Sequence, residues 1–454
     1  MAEDETTVMW FRRDLRLGDN PALLDACAGA GVLPLFVVDP ALWGPAGPVR
    51  RAYLSASLRA LDASLRRRHT GLTVLQGDPV REVQRAARGV DARRVHVAAD
   101  YGPYGRRRDL DVEEALAEHD VTLVRTGSPY AVAPGRVLNG SGAPYQVFTP
   151  FARAWAEHGW RGPVDPPTDV HWLGLEDADG LPEETPPEGV DLPDAGERAA
   201  LARWEDYVEN HLGDYHASRD RPDLHTTSRM SVHLKWGEIH PRTMLAALSG
   251  DTRKAVGTYR KELAWREFYA DVLHQRPDTA REYLRPEFAR MDYEAPGRLF
   301  EAWQEGRTGY PIVDAGMRQL RATGWMHNRV RMIVASFLVK DLHVEWQHGA
   351  RHFMHWLVDG DLASNQHGWQ WVAGCGTDAS PYFRIFNPTT QGKKFDPAGD
   401  YVRRWVPELR AVADKHVHEP AGDPAGLPEG YPAPVVDHGE ERREALARLE
   451  RIKK

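Results

Sequence analysis

Fifteen tryptophans occur in this 454-residue sequence, and ten of them fall after residue 200 (Trp204, Trp236, Trp265, Trp303, Trp325, Trp346, Trp356, Trp369, Trp371 and Trp405). Indoles usually pack cores. Several of these stand beside polar side chains that a core would avoid, as in Glu262-Leu263-Ala264-Trp265-Arg266-Glu267, Trp325-Met326-His327-Asn328-Arg329 and Asn365-Gln366-His367-Gly368-Trp369-Gln370-Trp371. Flat rings next to hydrogen-bonding groups are what a pocket for a planar base or an isoalloxazine ring requires. On a helix, Glu262 and Trp265 share one face, which sets a carboxylate against the edge of anything stacked on the indole. The same periodicity allows a surface pair between Glu262 and Arg266, so spacing leaves both arrangements open. His348, His352 and His355 also fall at helical spacing, but Gly349 interrupts them and no carboxylate or cysteine completes a ligand set; no metal site is expected.

Composition narrows the class. A hydrophobic fraction of 42% with 27% charged residues is globular. No apolar run reaches the roughly 18 residues of a membrane span, and the start, Met1-Ala2-Glu3-Asp4-Glu5, is acidic where a secretory leader would be basic, so a cytoplasmic protein is expected. Two cysteines, Cys27 and Cys375, cannot build a disulfide framework or a four-cysteine metal site. The net charge of −8 argues against a nucleic-acid partner. However, residues 166–195 hold nine acidic residues and no Lys or Arg, so this one stretch accounts for the deficit and leaves room for a basic groove elsewhere.

These side chains must be positioned by two kinds of structure. The runs Val8–Phe11, Leu33–Val38, Leu72–Leu75, Val95–Ala98 and Val121–Val124 read as buried strands, alternating with amphipathic segments such as Arg51–Arg67 and Leu110–Glu118. That alternation predicts an α/β domain with a parallel, Rossmann-like sheet over 1–128. No GxGxxG follows the first strand, so the sheet is not expected to hold a dinucleotide by the usual turn. A proline-rich acidic connector closes the linker at 129–195. From 196 to 454 the apolar spacing is helical, as in Tyr259–Leu273, Pro311–Thr323 and Arg329–Leu342, and an all-α domain is predicted.

The opening Trp10-Phe11-Arg12-Arg13-Asp14-Leu15-Arg16-Leu17-Gly18-Asp19-Asn20-Pro21-Ala22-Leu23 resembles that of the DNA photolyase/cryptochrome family. The run Asp359-Gly360-Asp361-Leu362-Ala363-Ser364-Asn365-Gln366-His367-Gly368-Trp369-Gln370-Trp371, continuing through Pro381-Tyr382-Phe383-Arg384-Ile385-Phe386-Asn387-Pro388, resembles that family's flavin and DNA site. The blocks Glu262–Tyr269, Gly309–Leu320 and Trp325–Met332 lie between in the same order, so the likeness spans the chain.

The resemblance implies a class I cyclobutane pyrimidine dimer photolyase. FAD would be the cofactor, UV-damaged DNA the partner, and the chain would act as a monomer without a membrane. Tyr215 and Thr227-Ser228-Arg229-Met230-Ser231 match the cradle of the FAD pyrophosphate. Asp359, Gly360 and Asp361 match the residues at the ribityl and flavin side, with Arg331 as partner of Asp359. Asn365 matches the position facing flavin N5, where an amide tolerates an anionic reduced ring and a carboxylate would oppose it. Glu262, Trp265, Asn328, Met332 and Trp371 match the pocket for a dimer flipped out of the duplex, which stacks and pairs poorly and so costs less to extrude. Glu262 would hydrogen-bond the dimer's carbonyl. Arg219, Arg329, Arg384, Gln391 and Lys394 match backbone contacts, which set affinity without reading sequence. The implied chemistry is electron injection from photoexcited reduced FAD, ring opening and return of the electron.

Two peripheral systems follow from the same resemblance. Trp369 and Trp346 match the inner members of a tryptophan relay that reduces the flavin, and the distal position falls at Tyr293, which can pass an electron only if its proton also leaves. Asp39, Arg50, Asp100, Tyr104 and Lys235 match an 8-hydroxy-5-deazaflavin antenna site, with methenyltetrahydrofolate or no antenna as alternatives; Gly102 stands where a Glu is common. The competing function is a cryptochrome-type light receptor without repair activity. Against it stand Glu262, Trp265, Asn365 and Trp371, together with an end at Lys454 that leaves no long extension.

Overall fold

The computed structural model describes residues 5–378 and 384–453. They form two compact units, one of Met1–Pro187, Leu192–Gly213 and Ser228–Pro277, the other of Glu188–Asp191, Asp214–Thr227 and Asp278–Lys454.

In the first unit five strands, β1 (Thr6–Phe11), β2 (Gly31–Val38), β3 (Thr73–Gln76), β4 (Arg94–Val97) and β5 (Thr122–Arg125), pair in the order β3-β2-β1-β4-β5, all parallel. The order reverses at β1, as in doubly wound folds. Every residue of β2 is buried, which is why it reads as an unbroken apolar run: helices cover both faces of a parallel sheet. Pro34 lies one residue before pairing with β3 begins at Leu35↔Thr73, where β2 has a single neighbour and a missing N–H costs least. The helices α1 (Pro48–Arg66), α2 (Pro79–Gly89) and α3 (Pro103–Ala117) each begin with proline at their first turn, where the absent donor would be unpaired anyway. Val8, Leu33, Leu35, Val95, Val97, Val112 and Leu116 share one core.

The 129–195 stretch is not all irregular. It contains α4 (Phe148–His158), whose Phe148, Phe151 and Trp155 are buried, and Trp172 forms a parallel bridge to Val32. The long helix α5 (Lys254–Gln275) binds this stretch through two buried carboxylates. Glu267 accepts from Ala131 N at 2.5 Å, Val132 N at 3.0 Å and Trp155 Nε1 at 2.6 Å, and Asp271 accepts from Gly135 N at 2.6 Å. By residue pattern α5 groups with the later helices; by packing it belongs with the sheet.

The second unit is helical. Its frame is α6 (Pro311–Thr323), α7 (Asn328–Lys340), α8 (Trp346–Trp356), α9 (Leu362–Ala373) and α10 (Pro388–Phe395), packed around Val330, Ile333, Val334, Phe337, Leu338, Trp346, Phe353 and Trp369. Among the described residues no helix is long and apolar enough to cross a membrane.

Candidate flavin and DNA site

Four helix starts and turns present the polar residues of the second unit. His327 caps α7 by accepting from Arg329 N at 3.1 Å, leaving Asn328 exposed and Arg329 and Met332 half-buried on the first turn. Arg331 turns the other way, donating from Nε to Met326 O at 2.8 Å and from Nη2 to Asp359 Oδ2 at 2.8 Å. The Asp359 side chain is almost fully buried, so the guanidinium supplies the compensation a buried carboxylate needs. Gly360 follows in a tight turn, its N donating to Leu357 O at 3.1 Å. Asp361 caps α9, accepting from Ser364 N at 3.1 Å, a role the sequence reading did not give it.

One turn into α9, Asn365 donates from Nδ2 to Ala350 O at 3.1 Å and to Gln366 Oε1 at 2.8 Å. Gly368 lies three residues on, on the same face, and a Cβ added there would meet no atom within 4 Å. The position of Gly368 is therefore open, while the turn that carries Trp369, four residues after Asn365, is packed. There Trp369 lies against Gly349 so closely that a Cβ at Gly349 would sit 2.1 Å from its ring. This accounts for the glycine among the histidines of α8. Those histidines have protein partners: Arg351 Nη2 bonds His348 Nδ1 at 2.9 Å and Gln304 Nε2 bonds His352 Nδ1 at 3.0 Å, and burial lowers the His352 pKa to about 4.

Of the expected relay residues in this unit, Trp369 and Trp346 are buried and Tyr293 is half-buried. Trp369 meets Phe353 edge-on at 5.0 Å and Trp303 at 6.2 Å. Trp346 meets Tyr283 edge-on at 6.0 Å, and Tyr283 stacks on Tyr293 at 6.4 Å. Tyr283, which the sequence reading missed, thus touches both, and its hydroxyl donates to Glu345 Oε1 at 2.6 Å. Burial, with Tyr293 and Glu345 adding to it, holds its pKa well above the ordinary phenol value.

The expected DNA contacts of this unit form a strip. The Arg329 guanidinium lies 4.5 Å over the Phe395 ring and 2.9 Å from Asp220 Oδ1, and Lys394 lies 5.0 Å over the same ring. Gln391 sits half-buried on α10, and Arg384 is exposed in the segment leading to that helix. Arg219 covers Tyr215, 5.7 Å from the ring centroid. Met332 and Trp371 both rest half-buried against the core. Thr227 is half-buried. The part of the expected motif at Pro381, Tyr382 and Phe383 lies outside the described residues.

In the first unit, Ser228 Oγ shares a hydrogen bond with Tyr259 Oη at 2.8 Å and accepts from Met230 N at 3.3 Å, while its carbonyl accepts from Arg203 Nε at 2.6 Å. Arg229 takes a left-handed φ of 54°, turning the chain into the short helix Ser231–Trp236. Glu262 and Trp265 lie half-buried on α5. One face of Trp265 is covered by Phe148, which stacks on it at 3.6 Å and 8°. Arg266 is spent elsewhere, on Pro129 O at 3.0 Å and over the Tyr130 ring at 4.7 Å.

The antenna residues of this unit are partly gathered. Tyr104 donates to Asp39 Oδ2 at 2.5 Å, and Asp39 caps Pro40–Trp43 through Ala41 N at 2.9 Å. Arg108 Nη2 lies 3.4 Å from Asp100 Oδ2, and both Arg108 and Arg12 flank the Trp10 ring, at 5.0 and 4.8 Å. Burial works against the Asp100 carboxylate, but Arg108, Arg13 and Arg12 outweigh it and hold its pKa below the usual range. Arg50 lies on α1, and Lys235 lies 5.4 Å over Trp236.

Comparison with known proteins agrees with this construction. Residues 7–169 match the family model described as DNA photolyase, and residues 259–451 match the FAD binding domain of DNA photolyase. The deoxyribodipyrimidine photo-lyase of Escherichia coli strain K12 is 39% identical over 99% of both chains, and that of Streptomyces griseus is 42% identical over 98% of both. The crystal structure of a bacterial class III photolyase from Agrobacterium tumefaciens superposes with a TM-score of 0.94 at 38% identity, covering 100% of this chain and 98% of that one. The molecule combines an α/β part with a helical part and is a flavoprotein. The chain belongs to the DNA photolyase family and is a light-dependent DNA repair enzyme.

The residues present fit FAD: a guanidinium-paired carboxylate at Asp359, an amide at Asn365 and open space over Gly368 match the polar edge and flat body of its ring system.

Proposed function

We propose that this enzyme is a class I photolyase that splits cyclobutane pyrimidine dimers in UV-damaged DNA. When bound and reduced, FAD supplies the photoexcited electron that opens the cyclobutane ring and receives it back. The chain's own residues bind, orient and exclude. Asp359, held by Arg331, takes the polar edge of the ring system, and Asn365 presents an amide where a carboxylate would oppose a negatively charged reduced ring. Asp361 and Gly360 complete that side, and hydroxyl and backbone donors of Tyr215 and Thr227 to Ser231 serve the pyrophosphate.

For the lesion, Trp265 offers its indole for stacking, and Glu262 hydrogen-bonds a pyrimidine carbonyl. Asn328, Met332 and Trp371 contact the extruded bases. Arg219, Arg329, Arg384, Gln391 and Lys394 contact phosphates and sugars, so recognition rests on the deformability of the damaged step. Trp369, Trp346 and Tyr293 carry electrons to the flavin. Asp39, Arg50, Asp100, Tyr104 and Lys235 would hold an 8-hydroxy-5-deazaflavin, which would supply light collection.

The observation that supports this reading is the buried Arg331–Asp359 pair just before α9, with Asn365 one turn into that helix and an open position at Gly368. The test uses oligonucleotides bearing either a thymine cyclobutane dimer or a (6-4) photoproduct, incubated with the reduced holoenzyme under blue light or in darkness. Restored thymines are expected only with the cyclobutane substrate and only in light. Equal dimer content in the two arms would overturn the assignment.

A further inference from the structure

Helix α7 carries two sets of residues on one face. At its start stand Arg329 and Met332; one and two turns further stand Ser336 and Lys340, so positions 332, 336 and 340 lie one above another at four-residue spacing. The proposed function uses the first set and leaves the second without a role. Yet Ser336 is fully buried and Lys340 is only 2% exposed, and a lysine enclosed in a core is costly unless its ammonium has acceptors. Its Nζ donates to the carbonyl of Arg384, and Ser336 Oγ accepts from Phe386 N at 3.3 Å.

The segment that these two side chains hold, residues 384–387, is neither helix nor strand. Its backbone groups therefore depend on side chains for partners. At its far end Asn387 caps α10 by accepting from Thr390 N at 2.8 Å, and α10 carries Gln391 and Lys394. Arg384 is thus tied on one side to the helix that bears Arg329 and on the other to the helix that bears Lys394. An exposed arginine gains most from a fixed backbone, since less ordering remains for its phosphate to impose.

We infer that Ser336 and Lys340 are positioning residues for damaged-DNA binding, gripping the backbone at Arg384 and Phe386 so that the Arg384 guanidinium is set in register with Arg329 along the phosphate strip. This rests on the proposed role of Arg384 and adds the device that holds it.

Burial lowers the Lys340 pKa to about 7, against the opposing pull of Asp341 and Cys375 and with Arg384 adding to the lowering; Asp341 is itself paired with His438 Nδ1 at 2.5 Å. Below that value the ammonium donates a charge-assisted bond to the carbonyl, and above it a neutral amine donates a weaker one. The grip therefore loosens as pH rises through neutrality.

The test is a double-mutant cycle on the FAD-loaded enzyme, reading dissociation constants for a dimer-containing duplex by fluorescence anisotropy. Lys340→Met is expected to weaken binding roughly tenfold on the wild-type background and less than about twofold once Arg384→Ala is present. Ser336→Ala, which removes less bulk and no charge, is expected to show the same dependence with a smaller factor, and bound FAD and the far-ultraviolet dichroism of each variant report the fold. Wild-type affinity is expected to fall between about pH 6 and about pH 8.5 by a step that Lys340→Met lacks. Equal losses from Lys340→Met on both backgrounds, or wild-type affinity in Lys340→Met, would overturn the inference while leaving Arg384 as a DNA contact. Wild-type affinity in Arg384→Ala would instead overturn the role of Arg384 itself, and the inference with it.

Discussion

Two polar clusters of this molecule are built on opposite plans. In the sheet unit, Arg12, Arg108, Asp100 and Asp109 form a closed set: Arg12 pairs with Asp109, Arg108 reaches both Asp109 at 2.9 Å and Asp100 at 3.4 Å, and both guanidiniums lie over the Trp10 ring, at 4.8 and 5.0 Å. In the helical unit, Arg331 and Asp359 pair just before α9, a helix whose Gly368 position is open. The closed cluster has its charges answered by one another, whereas an ion pair beside an open position leaves polar atoms available to a ligand, and the proposed flavin site makes use of that.

If that contrast holds, substitutions at the residues proposed to hold the lesion should cost far more function than those at the closed cluster. Trp265→Ala removes the stacking platform and should weaken dimer binding by roughly 1–3 kcal/mol, on the order of ten- to a hundredfold, with FAD content unchanged. Unaltered lesion affinity would end its stacking role. Phe148→Ala takes away only the ring behind that platform, worth about 0.5–1.5 kcal/mol beyond its area, and should produce a smaller loss of the same kind. Tyr104→Phe, which deletes the bond to Asp39 in the sheet unit, should leave the repair rate unchanged when light is absorbed by the flavin alone. A loss as large as that of Trp265→Ala would erase the distinction between the two regions.

Much of this was legible from residue order because it follows from local periodicity. All five strands fall within two residues of the apolar runs that predicted them, and Pro311–Thr323 forms a helix over the residues expected. Short-range chemistry was legible too, as in the Arg331–Asp359 pair that the resemblance implied. What escaped depends on contacts between residues far apart in sequence. Phe148 lies 117 positions before the indole it covers, inside a stretch whose proline and acid content disguised α4. Tyr283 gains its place only from Trp346 and Tyr293, and α5 is drawn to the sheet unit by backbone donors at 131–135 that no periodicity reveals. Asp361 was assigned to a ligand, and its capping of α9 became visible only with the helix start in place.

The proposed flavin site is organised by Asp359 just before α9, and the flavin content of purified protein tests that most directly. Wild-type protein should carry equimolar FAD, and Asp359→Asn, which keeps the side chain's shape but removes the charge that Arg331 compensates, should lose most of it. Full FAD occupancy in Asp359→Asn, or wild-type protein that takes up no flavin, would contradict it.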